Sequence, residues 1–188
     1  SLKNVTIANN SANSSGGGIY LGLNSPLNMV NTIITNNTGE YGIYLYSWFT
    51  GTTTITSPVP IITNSNLYNN QSGNFYNCGD WIGVNVTTNA NSDSVDVYNN
   101  IQLDPEFVDI NNNNYRLQNW SQLIGAGTTT NAPTTDIEGN PRPNPSGTNP
   151  DIGAYENPYG VPQYQAQVLN VPADYSSIQA ALTAAIAT

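Results

Sequence analysis

Three stretches of this sequence decide its fold: LKNVTIANN at residues 2–10, MVNTIITNN at residues 29–37 and IITNSNLYNN at residues 61–70. Each is a short run of β-branched and apolar residues that ends in an Asn pair, and such self-similarity marks a repeat architecture. The Asn pairs follow one another at 27 and then 33 residues. The stretches therefore predict successive turns of a solenoid that are joined by loops of different length.

A second strand follows each Asn pair. It is predicted by GGGIYLGL at residues 16–23, by YGIYLYSW at residues 41–48 and, in degenerate form, by GNFY at residues 73–76. Two strands per turn are visible, and the spacing leaves room for a third. Within the first turn Val5 and Ile7 alternate with polar or small residues, which is the period of a strand with one face inward. Strands this short cannot bury that face alone, so the turns must stack to create a core.

Asparagine explains the corners between the strands. The chain has 31 asparagines, and Asn tolerates left-handed backbone conformations at modest cost. Its side-chain amide can also bond the equivalent Asn one turn above and below. Asn-rich corners around Val-, Ile- and Leu-rich strands predict an all-β fold, a parallel β-helix rather than a sandwich.

The composition excludes several functions. The 188 residues carry 12 acidic and 3 basic side chains, a net charge of −9, so we expect neither nucleic acid nor an anionic membrane surface as a partner. With no His and a single Cys, Cys78, the chain can form no internal disulfide, zinc cage or imidazole-dependent site, and we expect no cofactor. No apolar run approaches the length of a membrane span. Low Lys and abundant Asn, Thr, Ser and Gly favour an extracellular or cell-surface location.

Residues 100–156 carry a family resemblance. The stretch reads NIQLDPEFVDINNNNYRLQNWSQLIGAGTTTNAPTTDIEGNPRPNPSGTNPDIGAYE. It resembles the closing section of secreted, pectate-lyase-like right-handed parallel β-helix proteins, in which a DPxFVD strand, an NYRL strand, an IxAG segment, a DIxGNPR turn and a DIGAYE end follow in this order. The resemblance implies a right-handed parallel β-helix. It does not choose an activity, because the group spans adhesins, cell-surface proteins and carbohydrate-active enzymes.

The resemblance also implies a domain organisation. Residues 1–156 are expected to form the β-helix turns and the closing section, and residues 157–167 a linker. Residues 168–188 resemble the opening cap of the same kind of protein, a strand followed by an amphipathic helix. The order is therefore inverted, and the first turn has an unpaired edge that soluble proteins avoid. We expect either another polypeptide or residues outside this sequence to cover it.

Our first hypothesis is a non-enzymatic structural module that self-associates head to tail. Residues 168–188 would cap the first turn of the next subunit, and such a heterologous contact propagates into a filament or a tandem array. Alternatively, these residues begin a second β-helix. The candidate assembly residues are Leu2, Val5, Ile7, Val168, Val171, Ile178, Leu182 and Ile186.

The second hypothesis is a carbohydrate-binding or polysaccharide-cleaving module whose active turns lie outside this segment. Within the segment, Tyr44, Tyr46 and Trp48 are candidate ligand-binding aromatics, because stacked aromatic rings bind sugars or proteins. Alternation would place Ile43 and Leu45 on the opposite face, so the tyrosines can equally form a ladder that covers the sheet.

Catalysis within the segment is not expected. Glycoside hydrolysis needs two facing carboxylates, and Asp104, Glu106 and Asp109 are the only dense acidic group. The resemblance places them in a structural section. Asp104 and Glu106 could share a strand face that Asp109 opposes.

The few basic residues also argue against catalysis within the segment. Lyases of this fold combine calcium-binding carboxylates with an Arg or Lys base, and this chain offers only Lys3, Arg116 and Arg142. The resemblance suggests structural roles for the two arginines, which would bond turn carbonyls or the carboxylates of Asp136 and Asp151. An anionic substrate would also meet a negatively charged protein.

No metal site is predicted, and Asp93, Asp96 and Asp109 are the only candidates. Asp109 opens a D-x-N-x-N stretch like that of a calcium loop, but Asn114 stands where such a loop needs Gly and Trp120 where it needs Glu. Asp93 and Asp96 could share an ion or simply be solvated.

Seven N-x-[ST] sequons are present. Asn13 and Asn85 are the candidate glycosylation sites because they fall in predicted loops, whereas stacking should bury the corner residues Asn36 and Asn70.

Overall fold

The computed structural model describes residues 1–49, 51–52, 54–56, 58–163 and 176–180. In this part of the chain the fold is all-β, as predicted, with fifteen short strands, a 3-10 turn at Ile110–Asn112 and a helical segment at residues 178–180. The strands are β1 (Leu2–Lys3), β2 (Thr6–Ala8), β3 (Ile19–Leu21), β4 (Asn28–Val30), β5 (Ile33–Thr35), β6 (Tyr41–Leu45), β7 (Ser47–Phe49), β8 (Thr54–Thr56), β9 (Ile61–Thr63), β10 (Asn66–Tyr68), β11 (Gly73–Tyr76), β12 (Thr87–Thr88), β13 (Ser94–Val95), β14 (Phe107–Asp109) and β15 (Asn114–Leu117).

Nine of these strands form three parallel sheets of three strands each. The orders are β1-β4-β9, β2-β5-β10 and β3-β6-β11, so the chain visits the sheets in the same sequence three times. In the first sheet Leu2 pairs with Met29 and Met29 with Ile62, which reproduces the predicted repeat spacing. The structure also supplies the third strand of each turn. A β7-β8 antiparallel hairpin follows β6 in the second turn.

The core of the repeats draws apolar side chains from all three sheets. Alternation along each strand turns one residue in two toward this core, as the sequence predicts. Its largest fully buried members are Met29, Ile34, Ile43, Leu45, Ile62 and Leu67.

Asparagine side chains join the turns at one corner. The backbone N–H and the side-chain amide of Asn10 both donate to Oδ1 of Asn37, at 2.9 and 3.0 Å. Asn37 repeats the same two bonds to Oδ1 of Asn70, at 3.2 and 3.0 Å. The predicted Asn ladder is thus confirmed, and it continues through Asn74 to Gln102. The residue before each ladder position has a left-handed backbone: Asn9 (φ 58°), Asn36 (φ 54°) and Asn69 (φ 49°).

The closing section packs against the outside of the second sheet. Ile33 on β5 points away from its neighbour Ile34 and is buried in a second core, formed mainly by residues from 95–152. Gly153 lies so close that an added Cβ would meet the Ile33 side chain at 2.7 Å. The predicted DPxFVD and NYRL strands are present as β14 and β15, an antiparallel pair. The second core comprises Ile33, Val95, Ile101, Leu117, Leu123, Ile124, Ala126 and Ile152.

The described part of the predicted linker, residues 157–163, lies against the closing section. The backbone N–H of Asn157 donates to Oδ2 of Asp151 at 2.6 Å, and that of Gln163 donates to the carbonyl of Asn119 at 2.7 Å. A search of the described residues for a helix of the length and apolar character of a membrane span finds none.

Candidate functional site

The first turn presents an open edge. Within the described residues, β1, β2 and β3 each pair with only one other strand. The ladder residue of this turn, Asn10, donates to the next turn, but its own Oδ1 accepts no hydrogen bond from the described residues. At the opposite end the second sheet is extended beyond β10, because the N–H of Ile101 donates to the carbonyl of Ser65 at 2.8 Å. The two ends of the repeats are therefore unlike.

The predicted assembly residues are described only in part. Leu2, Val5 and Ile7 lie half-buried at the open end. Ile178 is 71% exposed, at the start of a helical segment in which Ser177 Oγ accepts from the N–H of Ala180. The contact between the cap and the first turn stays a prediction, since Val168, Val171, Leu182 and Ile186 lie outside the described residues.

Three tyrosines form a row across the third sheet. We call Tyr20, Tyr44 and Tyr76 the tyrosine row, because they lie in register on β3, β6 and β11. Their ring centroids are 5.8 and 4.5 Å apart and the planes are nearly parallel, at 10° and 12°. Ile43 and Leu45 are buried on the other face, which confirms the predicted alternation.

The tyrosine row is a poor platform for sugars along its length. The rings cover one another's faces, so ring edges and hydroxyls are what the row presents to solvent. Burial, with the neighbouring Tyr76, Glu40 and Tyr20, raises the pKa of Tyr44. Tyr46 lies beside the row, 6.1 Å from the ring of Tyr20, and the side chain of Trp48 lies outside the described part of the chain. Ligand binding by these aromatics stays a prediction.

An aromatic groove lies instead beside β9, the last strand of the first sheet. We define it by Val59, Ile61, Trp81 and Tyr98, which line a cavity of about 550 Å³. All four side chains are substantially exposed, Trp81 at 58%. Cys78 forms part of the floor, and burial raises the pKa of its thiol to about 11.

The aromatic groove continues into a polar one. Ile61 and Tyr98 also line a second cavity, of about 650 Å³, whose remaining lining is mostly Asn, Thr and Ser side chains with Lys3. Trp81 has a left-handed backbone, φ 71°, which is uncommon for a bulky residue and occurs preferentially at functional sites. The sequence did not predict this groove, because residues 77–99 have no periodicity. The isolated Trp in CGDWIG was the available signal.

Asp96 and Asp136 organise two loops in the same way. Oδ1 of each accepts the backbone N–H groups two and four residues later, at 2.8 and 2.9 Å in both loops. Oδ2 accepts the side-chain amide of the Asn four residues later and one distant N–H, from Gly83 or Glu156 respectively. Burial raises the pKa of Asp136, but these bonds outweigh it and hold that pKa below its usual value. The D-x-x-[NG]-N pattern thus builds a turn.

The other two candidate metal ligands are likewise engaged in local structure. Asp93 accepts from the Asn89 amide at 3.0 Å, and burial raises the pKa of its carboxyl. Asp109 accepts both the N–H and the amide of Asn112 and caps the 3-10 turn, and these bonds lower its pKa. Over the described residues, no three His, Cys, Asp or Glu side chains are grouped closely enough to hold a metal ion.

The acidic group considered for glycoside hydrolysis, Asp104, Glu106 and Asp109, does not lie on one strand. Asp104 and Glu106 precede β14 rather than sharing a strand face, and both line the same two cavities, of about 800 and 420 Å³. Glu106 has a left-handed backbone, φ 54°, and its N–H donates to Oδ1 of Asp104. Asp109 is the last residue of β14, and its carboxylate caps the 3-10 turn.

Both arginines pair with glutamates rather than with Asp136 or Asp151. Arg142 is buried with Glu156, Nε to Oε2 at 2.7 Å, and also donates to the carbonyl of Gly153, so the expected bond to a turn carbonyl is present. Arg116 pairs with Glu138 at the surface and lies 4.9 Å above the ring of Tyr155.

Asp151 is buried beside the Arg142–Glu156 pair, and its backbone N–H donates to the Glu156 carboxylate. Burial, and then the charge of Glu156, raise the pKa of Asp151 to about 8. Burial also raises the pKa of Glu156, although Arg142 opposes that shift. Oδ1 of Asp151 accepts from the N–H of Gly125 at 2.8 Å, and its backbone carbonyl accepts from the amide of Asn4 in the first turn. These groups tie the closing section to the repeats.

The candidate glycosylation residues Asn13 and Asn85 are both exposed, whereas the corner residue Asn70 is buried and Asn36 half-buried.

Comparisons of the chain with protein-family models, with curated proteins and with solved structures found no match.

Proposed function

We propose that this chain is a non-enzymatic extracellular structural module, a right-handed parallel β-helix that joins end to end through its first turn. The observation that carries the proposal is the open edge of β1, β2 and β3. Parallel sheets visited in the same order three times, around a core shared by all of them, support the β-helix. The family resemblance of residues 100–156 supports the handedness and secretion.

An open edge of this kind binds another strand. Its N–H and C=O groups, which no described strand pairs, are a template for strand addition. Asn10 offers a ladder acceptor in the position that Asn37 and Asn70 fill in the following turns. Residues 168–188 of a second copy, for which the sequence predicts a strand and an amphipathic helix, would pair with this edge and cover it. Because donor and acceptor surfaces differ, the contact repeats into a filament or tandem array.

The use of carboxylates supports a structural rather than catalytic role. Asp96, Asp136 and Glu156 accept backbone N–H groups that their loops would otherwise leave unpaired, and Glu156 also neutralises Arg142. A carboxylate engaged in this way is not free to act as an acid or a base.

Electron microscopy of the full chain tests the proposal. We expect filaments, and we expect deletion of residues 168–188 to abolish them while the circular dichroism of the β-sheets persists. An excess of a peptide of residues 168–188 should also cap growing ends and shorten the filaments, whereas a scrambled peptide should not. Dispersed particles from the full chain, or filaments from the truncated chain, would contradict end-to-end assembly by this segment.

The aromatic groove favours a second candidate function, the binding of a neutral oligosaccharide. The exposed rings of Trp81 and Tyr98 can pack against the apolar faces of sugar rings. The adjoining Asn and Thr side chains supply donors and acceptors for hydroxyl groups, as in other ligand sites with few charges.

Calorimetric titration with a panel of neutral oligosaccharides tests this candidate. Trp81→Ala should lose binding, and Val84→Ala, an exposed residue outside the aromatic groove, should retain it. Equal affinity of the two variants would exclude the groove as the sugar site and would leave the assembly proposal untouched.

A further inference from the structure

We propose that the tyrosine row is a site of oxidative crosslinking, in which a peroxidase-type one-electron oxidant and hydrogen peroxide join Tyr44 to Tyr76 as dityrosine. The two residues belong to different turns but lie in register on β6 and β11. Their rings are 4.5 Å apart at an angle of 12°, the closest aromatic pair in the described part of the chain. The inference depends on this geometry alone and not on the proposed assembly.

An oxidant can reach the tyrosine row. Tyr20 and Tyr76, at its two ends, are 50% and 37% exposed, and the stacking leaves ring edges and hydroxyls outward. Tyr41 lies 5.0 Å from Tyr76 and 6.2 Å from Tyr44, so a radical formed on any of these rings has a neighbouring phenol. Tyr44 is held between two other rings and is the natural coupling partner.

The reaction balances without any group from this chain beyond the two phenols. Each phenol O–H gives one electron and one proton to the oxidant, and each resulting phenoxyl radical carries spin on its ortho carbons. One C–C bond forms between two ortho carbons. The proton on each of these carbons then moves to the phenol oxygen and restores the aromatic ring. Hydrogen peroxide takes up both electrons and both protons and is reduced to water.

Cys78 does not compete as a thiolate, although it follows Tyr76 closely in the chain. Its side chain is buried beneath the third sheet, with Sγ near the carbonyls of Ile43 and Tyr76. A buried thiol in such apolar surroundings is inert compared with an exposed one. Oxidation is therefore directed to the ring edges at the surface.

The crosslink would join the second turn to the third. It closes a covalent loop between residues 44 and 76, which restricts the unfolded chain in the same way as a disulfide. We expect the crosslinked monomer to unfold at a higher temperature than the untreated protein. The tyrosine row would thus be the place where the repeats are locked together after folding.

Treatment of the full chain with a peroxidase and hydrogen peroxide tests the inference. We expect dityrosine fluorescence in the monomer, a mass lower by the weight of two hydrogen atoms, and peptides that join Tyr44 to Tyr76. Tyr76→Phe retains the ring but lacks the phenol, so it should lose most of the intramolecular product. Tyr159→Phe, an exposed tyrosine outside the row, should retain it.

The same reaction in urea shows whether the fold directs the coupling, because unfolding separates the two turns. The yield of the Tyr44 to Tyr76 link should then fall to that of any other tyrosine pair. The inference is wrong if Tyr76→Phe forms as much intramolecular dityrosine as Tyr159→Phe, or if the links in the folded chain map mainly to other residues or only between chains.

Discussion

The repeats and the region that follows them, residues 77–163, use different side chains to pair the polar groups of their corners and loops. In residues 1–76, where Glu40 is the only acidic residue, amides of Asn join one turn to the next. In residues 77–163, carboxylates such as those of Asp96 and Asp136 gather backbone N–H groups within single loops. Repetition is found where Asn amides join the turns and is absent where carboxylates organise the loops.

The difference follows from what each group can donate. An amide both donates and accepts, so it can stack on its own kind without limit. A carboxylate only accepts, and two stacked carboxylates would repel each other, but one carboxylate can satisfy several N–H groups. Asn100 makes both kinds of contact. Its Oδ1 accepts from the backbone N–H of Ser65 in the repeats, and its side-chain amide donates to the carboxylate of Asp96.

The largest effect is expected where the closing section buries a charge pair. Arg142→Met leaves Glu156 buried without its partner, which should lower the free energy of unfolding by about 3–5 kcal/mol. Arg116→Met breaks the exposed pair with Glu138 and should cost about 1 kcal/mol or less. Urea denaturation measures both, and equal losses would show that burial does not govern the contribution of these arginines.

Two adjacent isoleucines pack in different cores, so substitutions at these positions test the stability of the two regions separately. Ile33 packs in the second core and Ile34 in the first, so alanine at either position should cost about 2–5 kcal/mol. Hydrogen exchange should show faster opening of the closing section in Ile33→Ala and of the repeats in Ile34→Ala. Uniform loss of protection in both variants would mean that the two cores unfold as one unit.

Exchanging the amide and the carboxylate tests the explanation itself. Asn37→Asp removes the donor that the ladder needs, and Asp96→Asn replaces an acceptor by a donor opposite a backbone N–H. Each isosteric change should lower the free energy of unfolding by about 1–3 kcal/mol. Asn13→Asp, at an exposed position, is the control and should change it by less than about 0.5 kcal/mol. Two stable exchange variants would refute the donor argument.

The smallest predicted effect is a pH dependence confined to the closing section. The pKa of Asp151 is raised to about 8, so the folded state holds a proton that the unfolded state releases near pH 4. That stabilisation is complete below pH 4 and is lost as the pH rises through 8. Between pH 6 and 8 the free energy of unfolding should fall by about 2 kcal/mol. Urea midpoints measured across this range check it, and a midpoint that rises with pH would contradict the sign.

Much of the fold could be predicted because it depends on local pattern. The alternation around Ile7, the repeat spacing and the Asn pairs require only that neighbouring turns resemble one another. The tyrosine ladder, one of two predicted alternatives, followed from the same alternation. The roles of Arg142 and Asp96 were less accessible, because their partners lie in loops whose paths no periodicity sets.

By itself, the sequence determined two strands of each turn, their order, the chemistry of the corners and the exclusion of imidazole and disulfide chemistry, since these depend on residue type and short spacing. The tertiary structure alone decided three further features. It placed the closing section on the outer side of β5, it brought Tyr44 within 4.5 Å of Tyr76, and it assembled the aromatic groove around Trp81. Each of these joins residues far apart in the chain, and their proximity is set by how the turns stack and where the loops run, which no local pattern encodes.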